Sequence, residues 1–129
     1  MMRMLAAALV IAAGPVCAET MLVAPSGSLC AGQSVKREQF FSFLSTTKEC
    51  PLPIVHAKDM RAFTMKSPNS IEQRGCWGKT LGDDAVFVYE DGKTGTMPMG
   101  VYAKVEFEQS GSGKVVSSYN QEHGYIKCP

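Results

Sequence analysis

The chain has no Cys-x-x-Cys pair, no Gly-x-Ser-x-Gly elbow and no glycine-rich phosphate loop. These absences remove the dithiol redox motif, the hydrolase nucleophile turn and the backbone cradle for nucleotides. Histidine occurs only at His56 and His123, and tryptophan only at Trp77. An excess of one charge is missing too, since 13 Lys and Arg stand against 12 Asp and Glu. A near-neutral surface lacks the electrostatic footprint that nucleic acid or anionic lipid requires, so neither is expected as a partner. Beyond residue 18 no apolar run approaches membrane-spanning length, and no membrane insertion of the mature chain is expected.

What is present begins with a leader pattern. Arg3 precedes an apolar run over residues 4–13, too short to span a bilayer comfortably. Gly14 and Pro15 break it, and Val16-Cys17-Ala18 offers small residues at the positions a signal peptidase reads. The expectation is a signal peptide over 1–18 and one disulfide-stabilised domain over 19–129, periplasmic or secreted. The alternative is acylation at Cys17, but Gly14, Pro15 and Val16 stand where a lipoprotein signal needs a Leu-like residue followed by small ones.

Cleavage there leaves Cys30, Cys50, Cys76 and Cys128, an even set that reads as two disulfides in an oxidising compartment. Four cysteines allow three connectivities, and loop-closure entropy does not separate them. Cys30–Cys50 with Cys76–Cys128 is the expected pairing, because it cross-links each half of the chain within itself.

Residues 19–33 contain Pro25, Gly27 and Gly32 among serines, the composition of an irregular lead-in. Ser34 can cap a helix over 35–46, with Phe40, Phe41 and Leu44 on one face. From about Met60 the period changes to two. Strands are expected over 62–65, 71–79, 85–89, 101–108 and 115–119, with 123–128 extended. Turns are expected at Ser67-Pro68-Asn69-Ser70 and at Asp91-Gly92. Over 101–108 the alternation puts Val101, Ala103, Val105 and Phe107 inward, with Tyr102, Lys104, Glu106 and Glu108 outward. The predicted class is therefore α+β: one N-terminal helix, then an antiparallel meander of about five strands.

Several residues could carry chemistry. Cys76 beside Trp77 suggests a reactive thiol, but a mid-strand position supplies no helix dipole, and a structural disulfide is expected instead. Alternation puts Trp77 on the opposite face, as a core anchor. A zinc set could be drawn from Cys50, His56, His123 and Cys128, yet the tight cysteine pair of structural sites is missing. Met97 and Met99 lie two apart and could present soft sulfur to Cu(I), with Trp77 and His56 or His123 completing the set. The acids Asp83, Asp84 and Asp91 fall in turns, and the sequence singles out no catalytic pair of one of them with Glu90 or Glu106. Tyr89, Tyr102, Lys104 and Glu106 combine aromatics with charges, the composition of a recognition patch.

The run Arg74-Gly75-Cys76-Trp77, then Val86-Phe87-Val88-Tyr89, then Glu90-Asp91-Gly92 with Pro98 following resembles small exported proteins of proteobacteria and their phages. That resemblance covers about a third of the mature chain. It implies a β-hairpin fold and export, and no activity. The sequence thus points to an exported, non-enzymatic binding protein without a cofactor, phage- or envelope-related, whose partner is another protein. Its alternatives are a periplasmic Cu(I) carrier and an inhibitor of a cell-wall hydrolase.

Overall fold

A computed structural model describes residues 18–129. The expected signal peptide and Cys17 lie outside the described residues. Among these, nine strands form one antiparallel sheet in the order β2-β9-β8-β1-β3-β4-β5-β6-β7. The strands are β1 Glu19–Ala24, β2 Ser34–Lys36, β3 Ser42–Glu49, β4 Arg61–Met65, β5 Gln73–Lys79, β6 Asp84–Tyr89, β7 Thr94–Pro98, β8 Ala103–Phe107 and β9 Ser112–Ser118. Among the described residues the only helix of α type is the four-residue α1, Tyr119–Glu122. The predicted α+β class is therefore corrected to an antiparallel β fold.

The predicted helix over 35–46 is instead β2, a 3-10 turn at Arg37–Gln39 and the first half of β3. The reason lies in where β3 sits. It pairs with β1 on one side and β4 on the other, and Ser42, Phe43, Leu44 and Ser45 are all buried. A strand covered on both faces has no polar positions to alternate with apolar ones. Phe40, Phe41 and Leu44, which a helix would align, go to different places. Phe40 joins one core, while Leu44 belongs to the other with Phe41 packed against it.

Those two cores lie on opposite faces of the one sheet. The first contains Met21, Val23, Val35, Phe43, Val105, Phe107 and Val115, from β2, β9, β8, β1 and β3. The second contains Leu44, Phe63, Trp77, Ala85, Phe87, Met99 and Tyr102, mainly from β3 to β6. Successive residues of a strand face opposite ways, so Phe43 and Leu44 feed different cores. One directly paired row reads Lys104, Leu22, Leu44, Phe63, Gly75, Tyr89. It begins exposed at Lys104 and is buried from Leu44 to Gly75. The adjacent row reads Ala103, Val23, Phe43, Thr64, Arg74 and runs from buried to exposed. The buried face changes side across β1 and β3.

The first core is roofed by the Arg37 turn, whose guanidinium lies 5.0 Å from the Phe43 ring and 5.6 Å from Phe107. The second is tied to β3 by polar groups. Trp77 donates its indole N–H to the Ser45 carbonyl at 2.8 Å, and the Tyr102 and Ser42 hydroxyls bond at 2.9 Å. A buried polar group with a partner avoids its desolvation cost. Gly75 has to be glycine: a Cβ there would lie 2.0 Å from the Val88 carbonyl oxygen and 2.8 Å from the Phe63 ring.

The two disulfides are Cys30–Cys128 and Cys50–Cys76. The expected pairing Cys30–Cys50 with Cys76–Cys128 is thus corrected. It assumed that halves of the sequence are halves in space, whereas β8 and β9 return to pair beside β1. Cys50 follows β3, and Cys76 sits in β5 opposite Ala62 of β4. Cys76 and Trp77 face opposite sides, Cys76 fully buried in its cross-link and Trp77 in the second core.

Candidate functional site

The face that holds the first core does not end at β3. It continues onto β4 as Thr64, which is only half-buried, and the apolar cover stops there. A groove of about 610 Å³ opens at this seam, lined by Phe40, Phe41, Phe43, Pro25 and Pro68 among others. Its volume falls in the range of ligand-binding clefts. One wall is the Arg37 turn. The other is the β4–β5 turn, closed by the Ser70 N–H to the Ser67 carbonyl at 3.2 Å, with Asn69 at φ 60°. The backbone beneath is spent on the sheet, since Phe41 N–H bonds the Ala24 carbonyl and Lys66 N–H bonds the Phe41 carbonyl.

The rim is charged. Arg37 and Lys66 have no acidic partner within ion-pair distance among the described residues. Glu72, also at the rim, is held by Arg74 at 3.2 Å. The Arg37 guanidinium is fixed over Phe43 and reaches Met21 sulfur at 3.8 Å, so its charge sits on an aromatic surface. The arrangement is an aromatic floor edged by two free cations and one free carboxylate, Glu38. A larger depression, about 790 Å³, lies on the outer face of β2, β9 and β8 and is lined mainly by polar and charged residues such as Lys36, Glu106, Glu108 and Lys114. Glu106 and Lys114 are cross-strand neighbours, so its charges largely oppose one another.

The four residues expected to form a recognition patch share one face of the sheet, but that face is surface in one half and core in the other. Lys104 and Glu106 are exposed, and Glu106 lines the larger depression. Tyr102 is only 1% exposed and belongs to the second core, so its place in an exposed patch is corrected. Burial raises the Tyr102 phenol above its ordinary pKa, against the opposing effect of the Ser42 hydrogen bond. Tyr89 is half-buried against Phe63, its ring centroid 5.3 Å away.

Of the copper set, Met97, Met99 and Trp77 gather at the second core, with Met97 sulfur 3.6 Å from the Tyr102 hydroxyl. The histidines do not join them. His56 is exposed 3.8 Å from Asp59, and His123 stacks on Tyr119 at 3.7 Å. Of the zinc set, Cys50 and Cys128 are consumed by different disulfides. The sequence pattern does not reveal the groove, because a helix over 35–46 would not gather Phe40, Phe41 and Phe43 on one floor. Arg37 three residues before a run of phenylalanines is its available signal. No family model, curated protein or solved structure matches this chain.

The two disulfides indicate an oxidising environment. No helix among the described residues is long and apolar enough to cross a membrane.

Proposed function

We propose that this is an exported binding protein, periplasmic or secreted, that acts by contact and not by catalysis. Its partner is a protein presenting a short apolar segment that carries acidic residues. The observation that carries this reading is the seam groove, with Phe40, Phe41 and Phe43 beneath the unpaired cations Arg37 and Lys66. Aromatic residues and arginine in a partly desolvated depression are the usual makings of an interface anchor. Opposite charge on the partner would speed its encounter and select its register. The oxidised cysteines and the resemblance to exported proteobacterial and phage proteins support the location.

Fluorescence anisotropy of a labelled peptide of alternating Leu and Glu, titrated with the oxidised mature protein, tests the reading. Saturable binding is expected, with a Leu and Lys peptide not binding. Reversing the rim in an Arg37→Glu, Lys66→Glu double variant should exchange that preference. Equal binding of both peptides, or a preference unmoved by the double variant, contradicts the proposal.

A further inference from the structure

The second feature that the cores do not account for lies at the other end of the first half, where the chain leaves β9. Ser118 caps α1, its hydroxyl accepting the Gln121 N–H at 3.1 Å. The tail then doubles back, with Tyr125 N–H bonding the Asn120 carbonyl at 2.8 Å. Two further ties hold this segment to the loop after β1: Gln121 Oε1 accepts the Ala31 N–H at 2.8 Å, and Cys128 is joined to Cys30. A short terminal segment with so many attachments is fixed in place.

What it fixes is a set of parallel rings. His123 stacks on Tyr119 with centroids 3.7 Å apart and planes 17° apart. Tyr119 is backed in turn by Gly100, where a Cβ would stand 3.5 Å from the tyrosine ring. Tyr125 is parallel to His123 within 10°, at 6.2 Å, and lies 6.4 Å from Tyr119. Near-equal distances to both members of a stacked pair place Tyr125 beside the pair, not on top of it. The rings of His123 and Tyr125 therefore lie side by side and parallel within 10°, with Tyr125 set between the levels of His123 and Tyr119. Tyr125 is 70% exposed.

We infer that His123 and Tyr125 form a stacking platform for a sugar ring of a neutral glycan. The apolar C–H face of a pyranose lies flat on aromatic rings, while its hydroxyls need polar groups at the edge. His123 Nδ1 lies 2.8 Å from the Tyr119 carbonyl oxygen, which orients the imidazole and leaves Nε2 at its free edge. Glu122, the residue before His123, has no ion-pair partner among the described residues. A stacked base of single-stranded nucleic acid is the competing occupant, but such sites pair their aromatics with cations that track phosphates. Residues 119–129 contain one acid, Glu122, and one base, Lys127, and nearby Lys79 is paired with Asp83 at 3.1 Å, so no excess of cations surrounds the rings. This site is separate from the seam groove and does not depend on it.

The test is a ¹⁵N NMR titration of the oxidised mature protein with chitohexaose and cellohexaose, and in parallel with oligothymidylate. Shifts confined to residues 119–126 with a hexasaccharide are expected. Tyr125→Ala, at an exposed position, should weaken binding about ten-fold, the scale of one lost aromatic contact. His123→Phe, which keeps a ring, should retain most of it. Shifts with the oligonucleotide in place of the sugars would overturn the inference, as would no shift at millimolar sugar or binding indifferent to Tyr125→Ala.

Discussion

The half of the sheet from β2 to β3 and the half from β3 to β7 are made of similar strands, yet they bury opposite faces and close by different means. The first core is hydrocarbon and thioether throughout, Met, Val and Phe, and its roof is a cation laid over Phe43 and Phe107. The second mixes Trp77, Tyr102 and Met99 with Phe63 and Phe87, and its polar atoms bond to Ser42 and Ser45 of β3. Both halves need β1 and β3, so neither can be sealed alone. The place where the buried face changes side is also where an apolar surface emerges beside charge. The groove is a geometric consequence of that change.

Removing one large ring from each half gives the sharpest comparison. Phe87→Ala and Phe107→Ala, each 1% exposed, should each cost about 3–5 kcal/mol in urea denaturation. If the halves were independent, each variant would unfold only its own half.

Glycine substitutions should separate the halves. Gly75→Ala drives a Cβ against the Val88 backbone and should cost about 3 kcal/mol. Gly113→Ala meets side chains first, Phe107 at 2.7 Å and Val105 at 2.8 Å, in place of a backbone carbonyl at 2.0 Å, and should cost about 1–2 kcal/mol. Equal midpoints for the two would mean that the second half is no more rigid at its backbone than the first.

Tyr102→Phe removes the hydroxyl bond to Ser42 and should cost about 1 kcal/mol at neutral pH. The raised Tyr102 pKa also gives a sign for alkaline pH. The neutral phenol is favoured by the fold, so its stabilisation is complete below the unfolded tyrosine pKa of about 10. It is lost as pH rises from there through the higher folded value. The variant should lose less stability than the parent between neutral and alkaline pH, measured by thermal unfolding. The smallest effects belong to the exposed ends of the two paired rows. Lys104→Ala and Arg74→Ala should each change stability by less than about 0.5 kcal/mol.

The same comparison shows which parts were legible in the sequence. Where one face is wet, alternation is visible, so β6, β8 and β9 can be placed from their residues, whereas β5, with Gly75, Cys76 and Trp77 all buried, is legible as the return from the turn at Ser67-Pro68-Asn69-Ser70. The two central strands hid for a physical reason. Met21-Leu22-Val23-Ala24 and Ser42-Phe43-Leu44-Ser45 have little or no wet face, and Pro25 and Gly27 drew β1 into a presumed loop. β7, Thr94–Pro98, has glycine, proline and two threonines and offers no apolar run. Hairpin chemistry was partly readable. Gly92 has φ 87° as expected, but Tyr89 N–H bonds the Lys93 carbonyl, so the loop spans three residues and Asp91 needs no positive φ. Alternation does not say which of several faces is closed over, and alone it puts Tyr102 outside. The groove depends on that same closure, and its phenylalanines were visible while their gathering was not.

The central claim is that two oppositely facing cores are locked into one unit through β1 and β3. Trp77, the single tryptophan, reports the second core only. A lesion in the first core, Phe107→Ala, should therefore be followed by urea unfolding through Trp77 fluorescence and far-ultraviolet circular dichroism together. Coincident transitions, both moved to lower urea by the same amount, are the expected result. A Trp77 transition left at the parent midpoint while the circular dichroism splits in two would contradict the account.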